Sequence, residues 1–125
     1  MTDSDELIDR YRGTVVELLL HAAAQWPEQP ALVCEGETLD YGDYGKAVIG
    51  LASCLRETAV PARVAVIMRS GIGACIAHFG VLASGAQLLP MNPEYTAREL
   101  QYQLQDAGCD VVIAVPKEYD LVRTT

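Results

Sequence analysis

Clustered positive charge is what this sequence most clearly lacks. Nine lysines and arginines stand against seventeen aspartates and glutamates, which gives a formal net charge of −8, and no run of basic residues occurs. Proteins that bind DNA or RNA carry a basic patch or stripe that neutralises phosphates. The composition therefore argues against a nucleic-acid partner.

Closely spaced cysteine pairs are also absent. The four cysteines include no C-x-x-C pair and have no histidine at zinc-finger spacing; they are Cys34, Cys54, Cys75 and Cys109. Zinc sites and thiol redox motifs use such close pairs. Structural or free thiols are the favoured interpretation, and a metal site or a disulfide is the less favoured one.

The chain also begins without a secretory signal. Its first ten residues, MTDSDELIDR, contain four acids and one base, whereas a signal peptide begins with positive charge. We therefore treat residues 1–13 as an acidic leader and expect a cytoplasmic location.

One long stretch, residues 70–93, lacks any formal charge and has the length of a membrane span. Glycines and prolines interrupt it, as do His78, Gln87 and Asn92, and Gly85 divides it into a helical and an extended half. A buried helix followed by a buried strand explains this pattern better. No membrane span is predicted.

Apolar residues are plentiful in the rest of the composition. They make up 50% of the 125 residues, and charged residues make up 21%. Such a chain can bury a core and is too hydrophobic to be disordered. Residues 14–125 are expected to form one domain or one segment of a larger domain.

The first half of the chain is predicted to contain two helices and a hairpin. Thr14 is a candidate N-cap for a helix that buries Val15, Leu18, Leu19, Ala22, Ala23 and Trp26. Residues 31–34 and 37–40 form a hairpin-like pair with its turn at Gly36. Asp40 can cap a second helix that buries Tyr44, Val48, Leu51, Ala52 and Leu55.

Strands and helices alternate in the second half. Residues 63–68 form a strand that is apolar on both faces, and a helix over 73–84 ends at Gly85. The next strand, 86–91, is stopped by Pro90 and Pro93. A Thr96/Glu99 capping box opens a helix that Gly108 closes, and a third strand covers 111–115. This order predicts an α/β fold built from parallel β-α-β units.

A glycine-containing loop, residues 70–73, is a candidate for phosphate binding through Gly71 and Gly73. The dinucleotide fingerprint needs a third small residue where this chain has Ile76, and an acidic residue about twenty positions on, where it has Leu89 to Met91. An ordinary tight turn is favoured. A small nucleotide-binding module stays as an alternative.

No residue is predicted to be catalytic, cofactor-binding or metal-binding. His21 and His78 have no sequence neighbours suited to a metal site or a nucleophile pair. The serines lack the G-x-S-x-G setting of a hydrolase. The acidic pairs near the start of the chain and at Asp40/Asp43 fit a solvated tail and helix-start charges.

A family resemblance is more informative. The segment VLASGAQLLPMNP, residues 81–93, resembles the "L-x-A-G-A-x-x-x-P-x-N-P" signature of AMP-forming acyl-CoA synthetases, with Ser84 in place of the first Ala. Residues 94–108 resemble the "Y-T-x-R-E-L … D-x-G-A" continuation of fatty-acid and aryl-acid CoA ligases. Upstream, PEQPAL and LDYGDY (residues 27–32 and 39–44) resemble the "P-D-x-x-A-L" and "L-T-Y-x-E-L" motifs. The matching structural residues are Leu39, Tyr41, Gly85, Ala86, Pro90, Asn92 and Pro93.

The resemblance implies the N-terminal part of the large domain of an adenylate-forming ligase, most like the fatty-acyl branch. It implies ATP, magnesium and CoA as reactants or cofactors of the full-length parent. The 125 residues contain neither the family's Gly-rich phosphate loop with its lysine nor its C-terminal catalytic lysine. They also depart from the family pattern at Pro61-Ala62 and Arg69-Ser70.

These 125 residues are therefore expected to bind no cofactor and to be inactive alone. The expected partners are the remainder of the synthetase or a second copy of the chain. A non-catalytic interaction protein remains the alternative, beside the nucleotide-binding module.

Overall fold

A computed structural model of the chain describes residues 14–58 and 63–115. Within these residues the elements are α1 (Val15–Gln25), β1 (Pro30–Cys34), β2 (Glu37–Asp40), α2 (Tyr41–Thr58), β3 (Arg63–Ile67), α3 (Ile72–Ser84), β4 (Gln87–Met91), α4 (Ala97–Ala107) and β5 (Val111–Ala114). The chain divides into two compact units, Met1–Lys46 and Ala47–Thr125. The expected acidic leader lies outside the described residues.

Helix α1 begins at the predicted N-cap, because the Thr14 hydroxyl accepts a hydrogen bond from the Glu17 amide at 3.3 Å. Its predicted buried face is wrong in part. Val16 and Leu19 are buried, whereas the expected core residues Val15, Leu18 and Trp26 are about half exposed. Apolar residues occupy neighbouring positions of this helix, so the sequence period does not decide which of two adjacent stripes turns inward.

The hairpin of β1 and β2 is confirmed. Glu35 and Gly36 have φ values of 50° and 82°, and two consecutive positive φ angles are the mark of a type I′ turn. Leu32 pairs with Leu39 in an antiparallel register. Strand β1 begins at Pro30, one residue before the predicted start.

Helix α2 follows β2 directly, with Asp40 as its N-terminal cap. The Asp40 carboxylate accepts a hydrogen bond of 2.8 Å from the Asp43 amide. Tyr44, Val48, Ala52 and Leu55 are buried as predicted. The helical period correctly identifies the inner side here, because polar residues and glycines separate the apolar positions.

Within its described residues, the second unit contains a parallel three-stranded sheet in the order β4-β3-β5. Helix α3 and the end of α2 cover one face around Val64, Val66 and Leu55. Helix α4 covers the other face, where Leu100 packs with Ala65 and Ile67. The predicted α/β fold with parallel β-α-β units is confirmed, and the central strand β3 is buried on both faces as expected.

The uncharged stretch, residues 70–93, forms α3 and β4, as the sequence predicts. No helix in the described part of the chain is long and apolar enough to cross a membrane. The predicted end of this strand at Met91 is confirmed, but Pro90 does not stop it, because β4 runs through Pro90, which is paired to Val66. Pro90 is exposed, and an outer strand accepts proline where no neighbouring strand needs its N–H.

Helix α4 has the predicted capping box. The Thr96 hydroxyl accepts a hydrogen bond from the Glu99 amide, and the Glu99 carboxylate accepts one from the Thr96 amide. Gly108 ends the helix with φ 63°. Leu100, in the first turn, is completely buried, so the cap fixes the start of the helix that covers one face of the sheet.

Candidate functional site

The signature segment occupies the joint between α3 and β4. Gly85 caps α3 in the left-handed conformation with φ 89°, and its amide donates to the Leu82 carbonyl at 3.1 Å. Ala86 comes next and is buried in the core under α3. The joint reverses the chain from a covering helix into an outer strand, and the glycine and alanine of the signature are explained by that geometry.

Ser84, which departs from the family pattern, fits this joint through its hydroxyl. The side chain is buried, donates to the Val81 carbonyl at 2.6 Å and accepts from the Ala86 amide at 3.4 Å. A buried hydroxyl is tolerated when both its donor and its acceptor capacity are used. The substitution therefore preserves the joint.

Arg56 also supports the joint, and the sequence did not identify it. Its Nε donates to the Ser84 carbonyl at 3.2 Å. A cation at the end of a helix satisfies an unpaired carbonyl and complements the helix dipole. The basic residue in the last turn of α2 gives no sequence signal for this role, because its target lies 28 residues away.

The end of the signature forms the turn that leaves β4. The Asn92 side-chain oxygen accepts a hydrogen bond from the Glu94 amide at 2.9 Å, and its carbonyl accepts one from the Tyr95 amide at 3.2 Å. Pro93, between them, is half-buried. Asn92 and Pro93 therefore set the direction of the chain between β4 and α4.

Leu39 and Tyr41, the earlier motif residues, lie in the first unit. Leu39 is half-buried in β2, opposite Leu32. The Tyr41 amide, at the start of α2, donates to the Gln29 carbonyl at 3.0 Å. Leu39 belongs to the pairing of the two hairpin strands, and Tyr41 ties the start of α2 to the residue before β1; both roles are structural.

The carboxyl edge of the parallel sheet is the place where a ligand site would form. The connection after β3 leads to α3 on one face, and the connection after β4 leads to α4 on the other. In open α/β sheets, ligands bind outside the carboxyl ends of the strands, so the residues after β3 and β4 are the ones that could contact a ligand.

One ion pair joins the two loops at this edge. Arg69, after β3, lies 2.6 Å from the Glu94 carboxylate, after β4, and both side chains are largely exposed. An exposed pair of this kind contributes at most about 1 kcal/mol. The sequence did not reveal the pair, since neither residue belongs to a recognised motif.

The glycine loop before α3 fits a packing role better than phosphate binding. Gly71 is the N-cap residue of α3 with extended backbone, and a Cβ on Gly73 would come 3.0 Å from the Met68 side chain. A side chain at Gly73 would need only a shift of the flexible end of Met68. The loop contains no lysine, and the adjacent Arg69 is paired with an acid.

These residues do not fit the phosphates of a magnesium nucleotide. Phosphates of bound nucleotides need cations together with amide donors, and magnesium needs carboxylate ligands near them. In residues 14–58 and 63–115, no three residues among histidine, cysteine, aspartate and glutamate come close enough to hold a metal ion. We assign no catalytic or cofactor-binding residue here.

The cysteines and histidines have no arrangement that points to catalysis. All four cysteines are free thiols. Burial raises the pKa of the Cys109 thiol; nearby Arg63 lowers it and Asp110 raises it further. A raised pKa keeps this thiol protonated and weakly nucleophilic at neutral pH. The His21 ring meets the edge of Trp26 at 6.0 Å, which is a packing contact.

Arg63 organises the opposite, amino-terminal edge of the sheet. Its side chain donates to Gln87 Oε1 at 2.9 Å and to the Ala107 carbonyl. Its amide donates to the Asp110 carboxylate at 3.1 Å, and the Asp110 amide donates back to the Arg63 carbonyl. One arginine thus ties β3 to the start of β4, the end of α4 and the approach to β5.

Comparisons with known proteins agree with the resemblance. The family model described as "AMP-binding enzyme" matches residues 19–124. The long-chain-fatty-acid–CoA ligase of Salmonella typhimurium is 36% identical over 110 residues, which cover 86% of this chain and 19% of the relative. Tyrocidine synthase 3 of Brevibacillus parabrevis is 33% identical over 102 residues, which cover 80% of this chain and 2% of that protein.

Among solved structures, a candidate long-chain-fatty-acid CoA ligase from Rhodopseudomonas palustris superposes with a TM-score of 0.82 at 29% identity. The match covers 90% of this chain and 29% of that one. The chain thus spans about a fifth of the length of the ligase relative from Salmonella.

Proposed function

The chain belongs to the AMP-binding enzyme family, and we propose that it is the N-terminal segment of an ATP-dependent, AMP-forming acid–CoA ligase. The observation that carries this proposal is the 36% identity to a long-chain-fatty-acid–CoA ligase over 86% of the chain. Action on fatty acids and a cytoplasmic location are parts of the same proposal.

The reaction of such a parent has two steps. A carboxylate oxygen of the acid attacks the α-phosphorus of ATP, the bond to the β-phosphate oxygen breaks, and pyrophosphate leaves with the acyl-adenylate remaining. The CoA thiolate then attacks the acyl carbon, the carbon–oxygen bond to AMP breaks, and AMP leaves. ATP, magnesium and CoA enter the proposal as reactants and cofactor of the parent.

The described residues contribute a framework to that reaction. β3 provides a strand buried on both faces, and Gly85, Ala86 and Arg56 fix the joint that leads into β4. Charge that develops on the phosphates in the transition state needs fixed cations and amide donors, and the described residues hold no such set. We therefore propose that the 125-residue chain is inactive alone and that its partner is the remainder of the ligase.

The DNA beyond codon 125 tests the proposal directly. An open reading frame that continues into a Gly-rich phosphate loop with a lysine, and later into a second domain with a lysine, would support it. A stop codon directly after Thr125 would contradict the ligase segment and favour a short non-catalytic interaction protein.

A further inference from the structure

Two short connections at the carboxyl edge of the sheet lead to opposite faces. Residues 68–71 join β3 to α3 on one face, and residues 92–96 join β4 to α4 on the other. Each connection follows the carboxyl end of a strand, where ligands of open α/β sheets bind. The position of one connection relative to the other therefore determines which groups a ligand at this edge would meet.

An ion pair bridges the two connections. Arg69 Nη2 lies 2.6 Å from Glu94 Oε1, although both side chains are mostly exposed. The contact joins residues 25 positions apart, and it links the layer that carries α3 to the layer that carries α4. Arg69 also belongs to a segment in which the sequence departs from the family pattern, so the bridge is a feature of this chain.

The arginine side of the bridge starts from anchored backbone. Met68, directly before Arg69, packs against the apolar cluster under α3. Two residues after Arg69, the Gly71 carbonyl accepts a hydrogen bond of 3.1 Å from the Cys75 amide in the first turn of α3. An exposed ion pair is weakened by the entropy lost when its side chains are ordered. On this short connection Arg69 loses little backbone freedom in addition.

The acidic side of the bridge is oriented by Asn92. The Asn92 side-chain oxygen accepts from the Glu94 amide at 2.9 Å, and its carbonyl accepts from the Tyr95 amide at 3.2 Å. An asparagine that bonds the backbone two residues on fixes the direction of the turn. Asn92, a residue of the signature, therefore sets where the Glu94 carboxylate can reach.

We propose that Arg69, Glu94 and Asn92 form a clasp, which holds the β3–α3 and β4–α4 connections in one relative position. Asn92 fixes the turn, the turn presents Glu94, and Glu94 holds Arg69. Release of any of the three loosens both connections, including the one on the other face of the sheet. The proposal rests on contacts within residues 63–115 and not on the proposed ligase activity.

Amide hydrogen exchange of the full 125-residue chain, followed by NMR, tests the proposal. Glu94→Gln should lower the protection factor of the Cys75 amide, at the opposite connection, by about two- to fivefold, the range that exposed ion pairs reach. Arg69→Gln should lower the protection factor of the Tyr95 amide to a similar extent. The double variant should lower neither value further, because loss of one partner already opens the clasp.

Arg98→Gln is the matched control. Arg98 is also an exposed arginine that follows the carboxyl end of a strand. Its replacement removes the same charge and should leave the Cys75 amide unchanged. Exchange of the two partners, Arg69→Glu with Glu94→Arg, should restore protection at both amides. At about 1 M salt the effects of the single variants should shrink, since salt screens exposed charges.

Variants of Asn92 test its part in the clasp. Asn92→Ala should lower the protection factor of the Cys75 amide, but not when Arg69 is already replaced by glutamine. Asn92→Asp keeps an oxygen that accepts from the Glu94 amide and should cause no loss.

Three results would overturn the proposal. One is that the single variants Glu94→Gln and Arg69→Gln leave the opposite connection unchanged. Another is that their losses add in the double variant, which would mean that the two residues act independently. The third is that Arg98→Gln lowers the protection of the Cys75 amide as much as Glu94→Gln does, which would assign the effect to general charge.

Discussion

At the scale of single residues, glycines at helix ends set the path of the chain. Gly85 and Gly108 end α3 and α4 with φ values of 89° and 63°, and no atom lies within 4 Å of the position a Cβ would take at either. A side chain there would meet no neighbour. Its cost would come from the left-handed backbone conformation, which β-branched residues disfavour most.

Replacement of Gly85 measures that cost at the signature joint. Gly85→Val should lower the free energy of unfolding by about 1–3 kcal/mol, because it forces a β-branched residue into a positive φ. Gly85→Asn is the matched control and should lose less, because asparagine accepts this conformation more readily. Urea unfolding gives both values, and equal midpoints for the wild type and the valine variant would refute the assignment.

At the scale of elements, the structural features that depend on nearby residues were predictable. Thr14, Asp40 and the Thr96/Glu99 box act on amides within three residues, so their roles can be read from local sequence. The inner face of α1 was not predictable, because adjacent apolar positions offer two stripes. The predicted range 86–91 correctly included Pro90 in β4, but the sequence could not show why proline is tolerated there, because that depends on the strand order of the sheet.

The candidate site also combines local features, which the sequence predicts, with long-range contacts, which it does not. Gly85 and Ala86 were found through a motif whose geometry is local. The Arg69–Glu94 pair and the Arg56 contact with Ser84 join residues 25 and 28 positions apart. Contacts of this range arise from the packing of separate elements and leave no periodic pattern in the sequence.

The close crossing of α2 and α3 gives a second prediction. A Cβ on Gly80 would lie 2.5 Å from Leu51 Cδ2 and 3.0 Å from its Cβ. Gly80→Ala should therefore destabilise the protein by about 1–3 kcal/mol, despite the better helix propensity of alanine. The matched control is Gly50→Ala in α2, where a Cβ meets open space; it should stabilise by about 0.5–1 kcal/mol.

A double-mutant cycle separates the steric clash with Leu51 from the effect of alanine's helix propensity. If Leu51 is the obstacle, Gly80→Ala should cost at least about 0.5 kcal/mol less in a Leu51→Ala background. Additive losses in thermal or urea unfolding would show that the close approach is not what limits position 80.

The start of α4 gives a third prediction. Thr96→Ala removes the hydroxyl that accepts from the Glu99 amide at 3.2 Å and should cost about 0.5–2 kcal/mol. Glu99→Gln should cost much less, since the amide oxygen of glutamine can still accept from the Thr96 backbone. Losses of equal size for both variants in urea unfolding would argue against the capping box.

At the scale of the whole molecule, the chain matches only 19% of the length of its ligase relative from Salmonella. The described residues form a parallel sheet with helices on both faces. Hydrogen bonds of Arg63 connect β3 with the start of β4 and with Asp110, just before β5. Among the described residues, Arg69 and Arg98 follow the carboxyl ends of β3 and β4, and Arg69 is paired with Glu94. We propose that these 125 residues supply the framework of the domain and no catalytic group.

Exchange of labelled pyrophosphate into ATP, measured with and without the acid, tests this proposal. The assay contains the purified 125-residue chain, ATP, magnesium and a fatty or aromatic acid, with a heat-denatured sample as control. Loss of one electrostatic group alone typically slows such a step by about 10²- to 10³-fold, so we expect no exchange above the control. Exchange that depends on both the acid and the folded chain would contradict it and reveal an adenylate-forming site within these residues.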